Sequence, residues 1–273
     1  MIDSERSYKE LKEWFADKHV AVAFSGGVDS TIVALAAYEA LGEGAAAFTA
    51  ETLFSSGGDI EVAKSIARIL GIRHFVIQVR LPKRAVMNPP DRCYYCKRTI
   101  MRCIKRNGRV LGFDTIVDGT NSDDLRLDRP GIRALNEVGV RSPLAELGIG
   151  KGGVRGMLKW KGLECDRPSN TCAATRFSIG EEITPEGVRR VNEAEAFIKG
   201  LNFKLVRVRV HGDMARIEVD PFEITKMVDE ETRFSIVDRL RRLGFEWVTL
   251  DLEGYRTGSM KETTRSTAQI NRH

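Results

Sequence analysis

The sequence predicts an α/β fold, a parallel sheet with helices on both faces, followed by a smaller α+β domain. Three observations carry this. Apolar runs of strand length alternate with helical periodicity through the first two thirds of the chain, and a glycine-rich turn joins one such run to the helix after it. Beyond Glu181 the alternation gives way to a hairpin pattern.

Taken in order, "MIDSERSYKELKEWF" is an amphipathic helix without the basic-then-apolar pattern of a signal peptide, which implies a cytoplasmic protein. "HVAVAFS" is a buried strand, Ser30 to Leu41 a helix, "AAAFTAE" a strand, Glu61 to Leu70 a helix, and "HFVIQV" and "DTIVDGT" the next strands. Strands that alternate with helices pair in parallel through right-handed crossovers, so a ligand site is expected beyond their carboxyl ends, where Ser25, Glu51 and Thr120 fall. Later, a helix from Gly187 to Leu201 precedes "KLVRVRV", the turn "HGDM" and "ARIEVD", which read as a hairpin; a helix from Pro221 to Leu243 and the strand "EWVTLDL" close the pattern. The expected division is residues 1–180 as the larger domain, 181–260 as a small substrate or oligomerisation domain, and 261–273 as a flexible tail. So short a hairpin is rarely stable alone, and it is expected to pack on the first domain, on another subunit of a homo-oligomer, or both.

With 43 basic and 38 acidic side chains well mixed over 273 residues, the net charge of +5 favours anionic partners. It favours phosphorylated small molecules over nucleic acid, for which no dedicated basic or aromatic module is evident. No apolar run approaches the roughly 20 residues of a membrane span. Five cysteines, an odd number, argue for thiols or metal ligands over a disulfide framework.

In "AVAFSGGVDSTIVAL" an apolar strand ends in Ser25, Gly26, Gly27, Val28, Asp29 and Ser30 and runs straight into a helix. The glycines let backbone N–H groups approach a polyanion, the helix N-terminus adds its positive end, and Ser25 and Ser30 add hydroxyls, so the loop is built for phosphate. It is neither the Gly-Lys-Ser/Thr P-loop nor GxGxxG. After a later strand, "VDGTNSDDLRLDRPG" offers Asp118, Thr120, Asn121, Asp123 and Asp124 as metal and hydroxyl ligands, with Arg129 and Arg133 as counter-charges; alone, it also reads as a solvated acidic turn. "KGGVRGMLKWKGL" sets Lys151, Arg155 and Lys159 on one helix face that would meet phosphate or solvent.

Cys93 and Cys96 in "NPPDRCYYCKRTI" read as half a zinc knuckle, a redox pair, or part of a site with distant ligands. A thioredoxin-like pair is disfavoured because this CxxC does not follow the first strand of a βαβ unit. Cys103 shares a helical stripe with Cys96, Ile100 and Ile104 and reads as core. Cys172 lies in a turn-rich loop, and Cys165, seven residues earlier, is a candidate fourth ligand.

SGGVDS resembles the PP-loop of the ATP pyrophosphatase superfamily, whose members adenylate a substrate and release pyrophosphate. Together with "NPPDRCYYCK", the "VDGTNSDD" turn and "RPSNTCAATRFSIGEEIT", it resembles the LarE-type ATP-dependent sulfur transferases, which convert a biscarboxylated pyridinium mononucleotide to its thiocarboxylate form on the way to the nickel-pincer nucleotide cofactor. One departure is Ala173, where that family's pattern has leucine. The resemblance implies the adenine nucleotide alpha hydrolase-like fold, with ATP on Ser25, Gly26, Gly27, Asp29, Ser30 and Thr120, and Mg2+ on Asp29, Asp123 and Asp124. It implies that Cys172 handles sulfur, that Glu195 and Arg176 lie near the reacting centre, and that Arg207 and Arg209 hold the substrate's phosphate.

Two branches differ in the sulfur source. In one, the residue at Cys172 gives up its own sulfur; in the other, Cys93 and Cys96 join it to hold a 4Fe-4S cluster whose open iron accepts sulfide from an external donor. The sacrificial route needs only Cys172, so the additional CxxC favours the cluster. Structural zinc wants four ligands and would require Cys165 or Cys103 as well. Rivals from other classes are a cluster-dependent tRNA thiolase and a nucleotide-binding or zinc-stabilised assembly protein without turnover.

Overall fold

The computed structural model describes residues 4–125, 130–163 and 172–260. The chain divides into two compact units, one of residues 1–85 and 91–170, the other of residues 86–90 and 171–273.

The first unit runs α1 (Ser4–Trp14), β1 (Val20–Ala23), α2 (Val28–Leu41), β2 (Ala45–Glu51), α3 (Gly57–Leu70), β3 (Arg73–Gln78), α4 (Lys83–Val86), α5 (Arg92–Val110), β4 (Thr115–Val117), α6 (Ser122–Leu125), α7 (Pro130–Val138), α8 (Pro143–Glu146) and α9 (Lys151–Trp160). Its sheet is parallel in the order β3-β2-β1-β4, with Val20 opposite Ala45 on one side and Thr115 on the other. Strand order therefore reverses between β1 and β4, and it is beyond the carboxyl ends of such a pair that open α/β sheets bind ligands.

One face of the sheet buries Val20, Val22 and Ala47 against Ile32 and Val33 of α2, with Leu11 of α1 and Met157 of α9 in the same cluster. The other packs Ala21, Ala46 and Phe48 with Met101 and Ile104 of α5, and Phe48 stacks on Phe75 at 5.1 Å. Runs of alanine on β2 and α2 keep the layers close. The α3 helix starts at a capping box, Ser56 accepting from the Asp59 amide while the Asp59 carboxylate accepts from that of Ser56, and ends at Gly71 in the left-handed region (φ 75). Cys103 is half-buried, one position off the fully buried Ile104.

The second unit contains α10 (Pro185–Gly200), β5 (Val206–His211), β6 (Met214–Val219), α11 (Ile224–Met227), α12 (Glu230–Arg242) and β7 (Trp247–Leu250). β5 and β6 form the expected antiparallel hairpin, turning through Gly212 (φ 59), and β7 joins β6 in parallel. The single helix expected from Pro221 to Leu243 is instead a 3-10 turn, Pro221–Glu223, and two helices. The break has a cause: Asp229 is extended (ψ 140) and its carboxylate accepts the Thr232 amide, capping a new helix. Residues 86–90 join this unit through Asn88, which is fully buried with φ 51 and donates its amide to the carbonyls of Phe177 and Ser178 at 3.3 and 2.7 Å. Among the described residues no helix is long and apolar enough to cross a membrane.

Candidate active site

The loop after β1 folds on itself before it meets any ligand. The Ser25 amide donates to Ser30 Oγ (3.3 Å), the Gly27 amide to Ser25 Oγ (3.3 Å), and Ser30 Oγ to the Gly27 carbonyl (3.0 Å). Gly26 is left-handed (φ 72), and a Cβ there would sit 3.1 Å from the Ala63 Cα of α3. The hydroxyls are thus arranged around a turn whose outer side, at Ser25 and Gly27, is exposed.

The turn after β4 grips this loop. A Cβ on Gly119 would lie 2.7 Å from the Ser30 nitrogen and 2.9 Å from the Asp29 carbonyl carbon, so only glycine fits against the first turn of α2. Asn121, fully buried, donates to Asp29 Oδ1 (3.1 Å) and accepts the amides of Asp123 (3.0 Å) and Asp124 (3.1 Å). Asp123 Oδ2 accepts the Lys151 amide (2.8 Å) at the start of α9, and the Lys151 ammonium stands 3.8 Å from Asp124. Burial pushes the Asp29 carboxyl above its ordinary range; the Asn121 hydrogen bond opposes this, the Asp124 charge adds to it, and Lys151 pulls it down. Asp118, also buried, accepts from Thr120 Oγ1 (2.6 Å), Ser142 Oγ (2.7 Å) and Lys97 Nζ (3.4 Å).

Cys93 and Cys96 stand in the first turn of α5, Cys93 exposed and Cys96 half-buried, neither in a disulfide. Arginines surround the tyrosines between them: Arg133 lies over Tyr94 at 4.3 Å and Arg84 over Tyr95 at 4.7 Å, while Tyr94 donates to Glu137. Cys172 is exposed, belongs to the second unit and caps the 3-10 turn Ala173–Arg176, its carbonyl accepting from Thr175 Oγ1 (2.8 Å) and Arg176 Nη1 (3.2 Å). Among the described residues no three His, Cys, Asp or Glu side chains group as a metal site. Cys165 and Arg129 lie outside the described residues.

The second unit also buries a charged layer. Arg176 grips Glu195 with two parallel bonds, Nε to Oε1 (2.8 Å) and Nη2 to Oε2 (3.0 Å), and Glu195 Oε1 also accepts the Val208 amide (3.0 Å). Arg209 binds Glu218 Oε2 (2.7 Å from Nη2), while Ser259 and Arg216 donate to the other oxygen. Arg207, 3% exposed, differs: its Nη1 donates only to the Val206 carbonyl, its Nε has no hydrogen-bond partner, and no described carboxylate pairs with it. Burial, with the nearby Arg176 charge, draws its pKa down. Because Glu218 is fully buried between two arginines, Glu218→Ala is expected to cost roughly 3–5 kcal/mol, measured by denaturant unfolding, whereas an isolated surface pair would cost under about 1 kcal/mol.

The model of the family described as asparagine synthase matches residues 12–101, which hold the phosphate loop and the CxxC. An uncharacterised protein of Synechocystis is 40% identical over 94% of this chain and 97% of its own length. An uncharacterised protein of Methanocaldococcus jannaschii is 32% identical over 90% of this chain and 94% of its own. The pyridinium-3,5-bisthiocarboxylic acid mononucleotide synthase of Lactiplantibacillus plantarum is 32% identical over 90% of each chain. The chain belongs to the LarE-type family of PP-loop proteins.

In this LarE-type chain the PP-loop residues Ser25 to Ser30 and the turn residues Thr120, Asp123 and Asp124 come from elements that flank the strand-order reversal. Arg176, Glu195, Arg207 and Arg209 share the buried layer of the second unit. One residue gains importance only in the structure, and another, already a candidate from the sequence, acquires a specific contact. Lys97, directly after the CxxC, ion-pairs with Asp118 at the end of β4, and Asn121 links the acidic turn to Asp29. The only sequence signal for Lys97 is its place one residue after Cys96, on the inward side of a helix that begins with the cysteines.

Proposed function

We propose that this chain is an ATP-dependent sulfur transferase that acts on a biscarboxylated pyridinium mononucleotide, a nickel-pincer nucleotide precursor. The observation that carries the reading is the PP-loop braced by the Asp29, Asn121 and Gly119 contacts at the strand-order reversal, in a chain homologous to a synthase of the thiocarboxylated nucleotide. Magnesium arrives with ATP as substrate, and Asp29 is the carboxylate of the loop that would receive it. A substrate carboxylate oxygen attacks the α-phosphorus, the bond to the β-phosphate oxygen breaks, and pyrophosphate leaves. The loop amides and Lys151 are placed to receive its growing negative charge. In the acyl-adenylate the poor oxide leaving group has become AMP. A sulfur nucleophile then forms the C–S bond at that carbon and AMP departs with the C–O electron pair.

The supply of sulfur is assigned to Cys93, Cys96 and Cys172. Their chemistry suits three-thiolate ligation in that none is in a disulfide and two project from one turn of α5, although the described residues do not group as a metal site. When bound, a 4Fe-4S cluster supplies one iron without a protein ligand, on which an external donor's sulfide can be held. Arg207 is the natural seat for the substrate's phosphate, since a dianion there would satisfy the buried guanidinium that no described carboxylate pairs with, while Arg209 and Arg176 are already held by Glu218 and Glu195.

The test is incubation of the purified protein with Mg·ATP, sulfide and pyridinium-3,5-biscarboxylic acid mononucleotide. AMP and pyrophosphate should form only when the pyridinium compound is present, with one oxygen of it exchanged for sulfur by mass. Release of ADP and phosphate instead, or indifference to the pyridinium compound, would overturn the reading.

A further inference from the structure

We propose that Asn121 is a positioning residue that aims the Asp29 carboxylate at the metal of Mg·ATP, and that Asp123 is committed to holding α9. This rests on the reading of the PP-loop as a Mg·ATP site and divides the acids of that site by role. Asn121 is fully buried, and all of its polar side-chain atoms are assigned by their surroundings. Its Oδ1 faces two backbone amides, those of Asp123 and Asp124, and must be the acceptor. The NH2 group therefore faces Asp29 Oδ1, at 3.1 Å, and no flipped amide satisfies this arrangement. The side chain thus ties the acidic turn shut with one end and fixes a carboxylate of the neighbouring loop with the other.

Asp123, which the sequence offers as a metal ligand, is already engaged: its Oδ2 accepts the Lys151 amide at 2.8 Å. Gly150 lies directly beneath, where a Cβ would come within 2.5 Å of that oxygen. The contact anchors the N-terminus of α9 to the turn and brings the Lys151 ammonium to 3.8 Å from Asp124. Asp29 and Asp124 both feel the charge of Lys151, which stands 3.8 Å from Asp124. Positioning by Asn121 removes the freedom of the Asp29 side chain before metal arrives, which is how an outer hydrogen bond improves a ligand.

The test uses the intact chain and adenosine 5′-(α,β-methylene)triphosphate, which cannot be cleaved between the α and β phosphates, with binding measured by calorimetry with and without Mg2+. Asn121→Asp keeps the oxygen that accepts the two amides but turns a carboxylate toward Asp29. Expected is a loss of at least about tenfold in the affinity gained from Mg2+, well beyond any loss in metal-free binding. Asn121→Ser, whose hydroxyl still caps the turn but presents no amide to Asp29, is the second variant should the first unfold, and carries the same expectation. Circular dichroism and the thermal midpoint establish that the variant tested is folded. If folded variants keep the full effect of Mg2+, or lose metal-free binding equally, Asn121 is only a structural residue and the inference fails. If wild-type binding is not strengthened by Mg2+, it fails as well. The proposed reaction is judged separately, by product formation from the pyridinium compound.

Discussion

Replacing Cys172 by alanine is expected to abolish sulfur incorporation, while AMP and pyrophosphate still form within about threefold of the wild-type rate. The separation follows from where the groups lie. The phosphate loop, Asp29 and the β4 turn all belong to the first unit, and the bonds that shape them, Ser25 to Ser30 and Asn121 to Asp29, involve no thiol. Cys172 is exposed and belongs to the second unit. In the proposed reaction, loss of the thiol therefore removes a group needed for sulfur supply and leaves adenylation intact. Cys93→Ala and Cys96→Ala extend the test. With three-thiolate ligation each should also abolish sulfur incorporation, and iron in anaerobically purified protein should fall from about four per chain toward zero. Full activity in both variants, with a wild-type chain that loses one sulfur atom from Cys172 in turnover, would instead make Cys172 the sulfur source.

Gly119→Ala should lower kcat/KM for ATP by roughly 10²-fold, although no side chain is removed. The added methyl would meet backbone, the Ser30 nitrogen at 2.7 Å and the Asp29 carbonyl carbon at 2.9 Å, and neither atom can rotate out of its way. Relief requires the β4 turn and the start of α2 to part, and with them the hydroxyl of Ser30 and the carboxylate of Asp29. Overpacking of this kind costs about 1–3 kcal/mol, so the variant should still fold, and its thermal midpoint should fall only moderately. A change of less than about threefold in kcat/KM in a folded variant would mean that this contact does not hold the loop in its working shape.

The strands of the first unit are legible in the sequence because each is a short apolar run between polar turns, and the PP-loop because its six residues are contiguous. What escapes a linear reading is set by single side chains acting across distance. Asp229 breaks a pattern that otherwise reads as one helix, because a carboxylate that caps Thr232 outweighs continued periodicity. Asn88 draws residues 86–90 away from the helices on either side and into the second unit, a choice made by two carbonyls ninety positions further along. Lys97 and Asp118 are twenty-one residues apart and meet only because α5 crosses the sheet beside β4. The thiols show the same boundary: the CxxC spacing places two of them in one helical turn, but nothing local announces a relation to Cys172.

The contact of Gly26 with Ala63 has a wider meaning for how chains of this kind are recognised. Backbone lies against backbone there, as it does where Gly119 meets Ser30, so the loop is pinched between α3 on one side and the β4 turn on the other. Positions 26 and 119 must consequently stay small together, although each has a different neighbourhood and only the first lies within the loop. A side chain at position 119 would force apart a site whose SGGVDS reads perfectly well. The true signature of this nucleotide site is a discontinuous one, written in side-chain volume as much as in the six letters of the loop.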